Sequence, residues 1–317
     1  MNILLTCIGK RNYIIDYFKK EIGNKGKVFT ADNLNTAAGI YYADKSFIVP
    51  EIKNKNYIKI LLKICKKNKV KAILSFIDPE LSLLAKHSKK FEKAGIKCIV
   101  SNYDAVELCL DKYKFSKRLE KLGIPTIKTF KKAIIKQKKF PMVAKPRKGS
   151  ASIKVTKVNN KKELEVLTKY NKDLIYQEFI TGQEWGVDMY VDLISKKVIN
   201  IFTKKKIKMV AGETDKAVSE KNKQLSKICE EVVKKLGLVG PIDIDCFETK
   251  KGFVISEINP RFGGGYPLAH ACGVNIPKMI INNLRQITNT PRIGDFKEKR
   301  YMFKCFKICI KTEEELL

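Results

Sequence analysis

Apolar and polar positions follow two regimes along this 317-residue chain. In the first hundred residues, short apolar runs alternate with segments whose apolar residues recur at helical spacing. Asn2 to Cys7 reads as a strand, Arg11 to Lys20 as an amphipathic helix, and Lys27 to Ala31 as a second strand ending at Asp32. Phe47 to Val49 is a short strand stopped by Pro50, and Tyr57 to Asn68 has helical spacing. Ala72 to Phe76 is a strand before Asp78-Pro79-Glu80, Leu81 to Lys93 is helical, and Cys98 to Val100 is again a strand. Strands alternating with helices predict a parallel sheet with crossover connections. Ligands of such sheets sit at the carboxyl ends of the strands.

The pattern then changes. Lys112 to Leu122 is an amphipathic helix ended by Gly123-Ile124-Pro125. Phe140 to Lys145, Ile153 to Val155 and Leu174 to Ile180 read as strands, and Val187 to Leu193 with Lys197 to Phe202 as an antiparallel pair. Leu225 to Leu236 is a long helix, Ile242 to Phe247 and Val254 to Asn259 are strands, Ile276 to Ile287 is helical, and Tyr301 to Ile310 is a last strand. Strands that come in hairpins make this part α+β. No repeat or low-complexity linker interrupts it.

Composition narrows the class. A hydrophobic content of 44% is ordinary for a globular chain, and no apolar run is long enough to span a membrane. The first residues read as a strand and not as a signal peptide. Nine cysteines, an odd number without C-x-x-C, read as reduced thiols of a cytoplasmic protein. The formal charge of +31 raises nucleic acid as a partner. Only seven of the 64 basic residues are arginine, and the lysines are spread without interleaved aromatics, so no nucleic-acid interface is expected. Attraction for anionic small molecules remains.

The densest chemistry lies in Val254 to Gly265. Glu257 and Asn259 are two apart and share a strand face, and Asp245 lies twelve residues before Glu257 on another strand. If those strands pair, two carboxylates and an amide oxygen converge, hard ligands suited to Mg2+. Asp243 shares the parity of Asp245 and is the reserve ligand, while Arg261 at the strand exit suits a phosphate. A second cluster is Lys145 and the loop Pro146 to Ser152, where a lysine at a strand end and small residues let backbone N–H groups approach phosphate oxygens. The loop Gly9-Lys10-Arg11 after the first strand is not G-x-G-x-x-G, and the dinucleotide reading of Asp32 is weak without that fingerprint.

The run Val254 to Gly265 resembles the metal-binding signature of the ATP-grasp superfamily, and the resemblance extends over nearly the whole chain. The chain looks most like one synthetase half of the carbamoyl-phosphate synthase large subunit, or a stand-alone relative of it. The resemblance implies an α/β pre-ATP-grasp (Rossmann-like) domain at 1–108 and a two-lobed α+β ATP-grasp domain, with a small lobe at 109–180 and a C-terminal lobe at 181–317. It implies ATP and Mg2+ as cofactors, with Mn2+ as an alternative ion. Asp245, Glu257 and Asn259 are then the metal ligands, and Lys112, Lys145 and Ser150 meet the phosphates. Ala151 and Ile153 stand where the lid of the family usually carries glycine. Glu178, Phe179 and Ile180 correspond to the adenine hinge, with Ile175, Met142 and Phe247 around the ring, and Glu184 to the ribose acid. Arg261 would hold the acyl phosphate or its precursor. A lysine among Lys204, Lys206 and Lys208 would neutralise the transferred phosphate, and Lys208 lies nearest Gly212.

The implied reaction is ADP-forming ligation of a small-molecule carboxylate to an amine. Bicarbonate phosphorylation and a non-catalytic ATP-binding module are the alternatives. Substrate contacts are expected near Lys10, Arg11, Ser75 to Glu80 and Gly263 to His270, with His270 itself read as structural. The resemblance leaves room for a homodimer.

Overall fold

The computed structural model describes residues 1–131, 140–149, 154–171 and 173–317, and it contains three sheets. The first is parallel, in the order β3-β2-β1-β4-β5, built from β1 (Asn2–Thr6), β2 (Val28–Asp32), β3 (Lys45–Ile48), β4 (Val70–Ser75) and β5 (Lys97–Cys98). Helices Asn12–Ile22, Tyr57–Lys67 and Asp78–Glu92 carry crossovers between its strands. All of β2 is buried, which is why it reads as a short apolar run without alternation. The expected α/β unit is therefore observed.

The rest of the chain forms two antiparallel sheets. The smaller has the order β6-β9-β7-β8, from β6 (Thr129–Phe130), β7 (Met142–Pro146), β8 (Thr156–Val158) and β9 (Leu174–Glu178). The larger has the order β14-β13-β10-β11-β12-β15. Its strands are β10 (Gln183–Val191), β11 (Val198–Val210), β12 (Glu213–Ser219), β13 (Gly240–Thr249), β14 (Gly252–Asn259) and β15 (Tyr301–Phe303). β15 is shorter than its sequence pattern suggests: Phe306, Ile308 and Ile310 alternate as in a strand, but all three are exposed and no ladder includes them.

The buried side chains show how the three sheets are joined. The helix Lys223–Leu236 lays Leu225, Cys229, Val232, Val233 and Leu236 on one face of the large sheet. Asn222 caps its start by accepting from the Leu225 N–H, and Gly237 ends it at φ 63°. The same core takes Ala105, Cys109, Phe115 and Leu119 from helices Tyr103–Leu110 and Lys112–Lys121. On the opposite face, Tyr190, Phe202, Phe262 and Tyr266 share a core with Ile3, Leu5, Ile14 and Phe76 of the parallel unit. The small sheet keeps a separate core of Met142, Ala144, Val158, Leu164 and Tyr176. It is tied to the rest largely by polar contacts, chief among them the Arg147 guanidinium, which donates to both Asp111 carboxylate oxygens.

Asp192, in the turn from β10 to β11, is a buried carboxylate held entirely by neutral donors. Its oxygens accept from the N–H groups of Ile194, Ser195 and Asn289 and from the side-chain amides of Asn283 and Asn289. Burial opposes ionisation, but these hydrogen bonds win and hold the group well below the usual carboxylate range. A depressed acid stabilises the fold above its unfolded pKa, and that stabilisation is lost as pH falls toward the folded value. Asp192→Ala is expected to lower stability by about 2–3 kcal/mol at pH 7, with the gap narrowing as pH drops below about 4. Urea unfolding of both proteins at pH 7 and at about pH 3 measures this, and a gap independent of pH would rule out the anion as its source.

Candidate active site

Strand register assembles the acidic residues. Asp245 lies directly opposite Glu257, and Asp243 directly opposite Asn259. The period of two sends the alternate residues Ile244, Cys246 and Ile258 into the core on the other face. β10 adds Glu184 and Asp188 beside them, with Gly186 opposite Asp245. β11 supplies the counter-charges. Lys206 Nζ lies 2.8 Å from Glu184 Oε1 and 2.5 Å from Asp245 Oδ1, and Lys204 Nζ lies 2.5 Å from Asp188 Oδ2. Both lysine stems must pass over β10 to reach these partners. A Cβ at Gly186 would stand 2.9 Å from Lys204 Cε and 3.2 Å from Lys206 Cε, so glycine keeps the crossing open. Gly265 does the same from above, since its Cβ would stand 2.7 Å from Lys204 Cε.

The expected role of Lys208 is corrected by this geometry. Lys208 is exposed and does not line the cleft, whereas Lys206 does and is only 6% exposed. The reason is a bulge. Lys206 pairs with Ala217 and Lys208 with Lys216, so two residues of β11 oppose one of β12. The extra residue inverts the alternation, and Met209, not Lys208, returns to the cleft.

Three further cations close around Glu257. Lys112 Nζ, from the first residue of helix Lys112–Lys121, lies 3.6 Å from Glu257 Oε2 and donates to the Gly149 carbonyl at 2.6 Å. Lys145, at the end of β7, is 8% exposed, lines the same cleft, and pairs with no carboxylate among the described residues. Arg261 donates to Asp78 at 3.1 Å, to Asp243 at 3.4 Å and to the Phe262 carbonyl at 2.9 Å. The cleft thus lies where all three sheets meet. Residues just beyond the carboxyl ends of β1 and β4, namely Arg11 and Phe76 to Asp78, form one wall.

Crowded charge shows in the proton affinities. Burial raises the Asp245 carboxyl to about 6, with Lys206 opposing and Asp243 and Glu257 adding to the rise. Burial likewise raises Asp243, against the pull of Arg261. Glu257 goes the other way: burial opposes ionisation, but Lys112, Lys145 and Arg261 outweigh it and lower its pKa. Burial lowers the Lys145 ammonium, partly offset by Glu257. Lys206 is raised, because Asp245 and Glu184 overcome its burial. The arrangement can therefore bind a polyanion and a cation side by side.

Other expectations separate. Phe247 and Glu184 line the cleft, but Glu178 is exposed and neither it nor Phe179 nor Ile180 is among the lining residues. Met142 is packed in the core of the small sheet and Ile175 is buried opposite Lys145, and neither is among the residues that line the cleft. Ser150, with Ala151 and Ser152, lies outside the described residues. Ser75 and Glu80 face inward: Glu80 is fully buried and accepts from Thr6, Tyr57 and Ser75. Lys10 is exposed, while Asp32 accepts from the N–H groups of Gly9 and Asn33 and so holds its own loop. His270 is structural, stacked on Tyr17 with centroids 3.7 Å apart. Asp78 falls within the Ser75 to Glu80 stretch expected to meet substrate and lines the cleft, whereas Asp188, Glu213 and the Asp111–Arg147 pair were not singled out from the sequence. Of these only Asp111 carries a local signal, as the cap that accepts from the Lys114 N–H.

Among the described residues no three His, Cys, Asp or Glu side chains cluster as a metal site by themselves. The expected set instead joins two carboxylates to an amide. Asn259 donates its Nδ2 to Asp243 at 3.3 Å, which leaves its carbonyl oxygen free to ligate a cation. The oxygen-only chemistry of this set fits a hard divalent cation.

Comparison with known proteins agrees with the geometry. Residues 109–265 match the sequence model of the ATP-grasp domain, and residues 3–99 that of the PylC-like N-terminal domain. The carbamoyl phosphate synthase large chain of Pyrococcus furiosus is 28% identical over 215 residues, covering 61% of this chain and 20% of that protein. This chain thus spans about a fifth of the length of that relative. The vancomycin B-type resistance protein VanB of Enterococcus faecalis is 25% identical over 224 residues, covering 60% of this chain and 65% of its own. In fold, the chain is similar to the biotin carboxylase domain of Hydrogenobacter thermophilus 2-oxoglutarate carboxylase, in complex with MgADP, ADP and bicarbonate. There the TM-score is 0.75 at 17% identity, over 95% of this chain and 73% of that one. It is also similar to the L-amino acid ligase of Bacillus licheniformis, with a TM-score of 0.69 at 18% identity over 90% and 74%. Among the described residues no helix is long and apolar enough to cross a membrane.

The lysine assignment is open to a stability test. Lys206→Met strips two carboxylates of their counter-charge and is expected to cost about 2–3 kcal/mol, a buried-pair loss discounted for the partial exposure of Glu184. Lys208→Met should change stability by less than about 0.5 kcal/mol. Denaturant midpoints at pH 7.5 decide, and equal effects would contradict the bulged register.

Proposed function

We propose, from the premise that this chain carries an ATP-grasp domain behind a PylC-like N-terminal domain, that it is an ATP-dependent, ADP-forming ligase joining a carboxylate to an amine. The observation that carries this reading is the convergence of Asp245, Glu257 and Asn259 with Lys112, Lys145, Lys206 and Arg261 in one cleft. Phosphoryl transfer needs little covalent help from a protein; it needs the reactants placed and their charge neutralised.

Each residue then has a task. Lys112, which donates to the Gly149 carbonyl, and Lys145 would neutralise the phosphate chain. Val155, Met209 and Phe247 are apolar residues of the cleft lining against which the base would pack. Asp245, Glu257 and Asn259 would hold Mg2+, which would withdraw charge from the bridging phosphate oxygens. Arg261 faces the reacting carboxylate. Its guanidinium is oriented by Asp78 and Asp243, so it meets the incoming anion without reorganising.

In the proposed sequence a carboxylate oxygen attacks the γ-phosphorus, the bond to ADP breaks, and an acyl phosphate forms. The amine, as its free base, then attacks the acyl carbon. The carbon–oxygen bond to phosphate breaks and the amide is released with inorganic phosphate. No protein nucleophile takes part.

Nucleotide product analysis tests this. With MgATP and pooled carboxylates and amines, ADP and phosphate should appear in amounts that depend on the pool. Glu257→Gln should reduce the rate at least about a hundredfold. Formation of AMP and pyrophosphate, or ADP release that ignores Glu257→Gln, would sink the mechanism.

A further inference from the structure

We infer that the Asp111–Arg147 ion pair is a clasp that positions Lys112, and Lys145 with it, for the phosphates of ATP; the inference rests on the ligase reading above. The two lysines carry the same charge and belong to different units. Lys112 opens the helix Lys112–Lys121, whose Phe115 and Leu119 lie in the core of the large sheet. Lys145 stands near the end of β7 in the small sheet, whose separate core of Met142, Ala144, Val158, Leu164 and Tyr176 shares no residue with that of the large sheet. Both lysines line the cleft together with Glu257. Burial lowers the Lys145 ammonium, Glu257 offsets part of this, and Lys112 adds to it. Before a polyanion binds, like charge therefore pushes the two units apart where they must act together.

The contacts that oppose this repulsion sit next to the two lysines in the chain. Asp111 immediately precedes Lys112, and Arg147 lies two residues beyond Lys145. Arg147 Nε donates to Asp111 Oδ1 at 2.9 Å and to Oδ2 at 3.0 Å, and its Nη2 donates to Oδ2 at 2.6 Å. A two-pronged grip of this kind fixes direction as well as distance. The backbones are joined at the same place. The Lys112 N–H donates to the Arg147 carbonyl at 3.1 Å, and Asp111 and Lys148 form an antiparallel bridge. Lys112 Nζ completes the joint by donating to the Gly149 carbonyl at 2.6 Å. Lys112 thus enters the cleft from a backbone that both units hold.

Asp111 does two jobs that chemistry can separate. Its side chain is buried, and Oδ1 also accepts from the Lys114 N–H at 3.1 Å, which caps the helix. A cap needs only an acceptor oxygen, and asparagine serves about as well as aspartate. A grip on a guanidinium needs the anion. Arg147, for its part, is not among the residues that line the cleft, so it acts on the phosphates through the lysines and not by contact. The Lys148–Glu107 pair crosses the same joint at 2.9 Å, but it is single-pronged and its lysine is half exposed. Exposed pairs of that kind contribute little. The Asp111–Arg147 pair is therefore the one suited to set the geometry.

Calorimetric titration with Mg2+ and a non-hydrolysable ATP analogue tests the clasp without turnover, on variants whose far-UV circular dichroism matches the unmodified protein. Asp111→Asn, which keeps the cap, and Arg147→Met should each weaken the analogue at least about tenfold. Arg147→Lys, which keeps the charge and loses the second prong, should fall between. The double variant should bind within about threefold of either single one, because both break the same interaction. The sign of the Asp111→Asn effect is decisive. If charge alone governed binding, removing an anion near the cleft would tighten a polyanion. Lys148→Met should change affinity by less than about twofold. In a Lys112→Met background, Asp111→Asn should cost less than about threefold, since the cation it chiefly places is gone. Equal cost in both backgrounds would mean that the pair merely steadies the fold and would overturn the inference. So would unchanged or tighter binding by Asp111→Asn, or additive losses in the double variant. Failure of the analogue to bind the unmodified protein would instead count against the ligase reading.

Discussion

A row of carboxylates on one face of an antiparallel sheet is the constraint on which the rest of this structure depends. Asp243, Asp245, Glu257, Glu184 and Asp188 occupy neighbouring positions on β13, β14 and β10. Two such charges about 5 Å apart repel by about 3 kcal/mol at an effective dielectric of 20. The row is tolerable only because Lys204 and Lys206 reach it from β11 and Arg261 covers its end. That demand explains features that look unrelated in the chain. Gly186 and Gly265 are small because lysine stems pass beside them, and Lys112 from a helix and Lys145 from the small sheet supply the remaining cations.

The apolar face of the same sheet makes this charged face possible. Ile244, Cys246 and Ile258 are fixed in a core with Leu225, Cys229 and Val233, so the register of β13 on β14 cannot slip without exposing them. Burial on one face thus holds the geometry on the other. The parallel unit is locked in the same way, since Ile14 and Phe76 share a core with Phe202, Phe262 and Tyr266. The small sheet differs: its core is its own, and Lys145 and Gly149 reach the cleft from an element secured mainly by the Asp111–Arg147 pair and the Lys112 contacts. Few buried apolar contacts across this joint make the small sheet the element best able to shift relative to the other two. A cleft built from two interlocked units and a third more loosely held suits a reaction that must admit large anions and then exclude water.

Much of the fold is legible in the chain because its patterns are local. Strand and helix alternation specifies the parallel unit, and a period of two specifies the hairpins. The acidic residues of the site are also legible, because Glu257 and Asn259 share a strand and Asp245 carries the matching parity. Element ends are less so. Tyr301 to Ile310 alternates throughout, yet only Tyr301–Phe303 finds a partner strand, because pairing requires an available edge as well as a pattern.

The sequence by itself determined the fold class and picked out the metal-ligand candidates together with Lys112, Lys145 and Arg261, all of which line the cleft. Tertiary structure alone decided which lysine of β11 serves the site, since the bulge that replaces Lys208 by Met209 depends on how β12 pairs and leaves no mark in a run that alternates regularly up to it. It alone revealed Asp188 as the partner of Lys204. It also brought Asp78, 183 residues from Arg261 in the chain, into contact with it, with Arg11 lining the same cleft. The physical reason is the same in each case. Periodicity tells which face a side chain takes within its own element, whereas pairing of charges and completion of hydrogen bonds depend on which distant elements share a core.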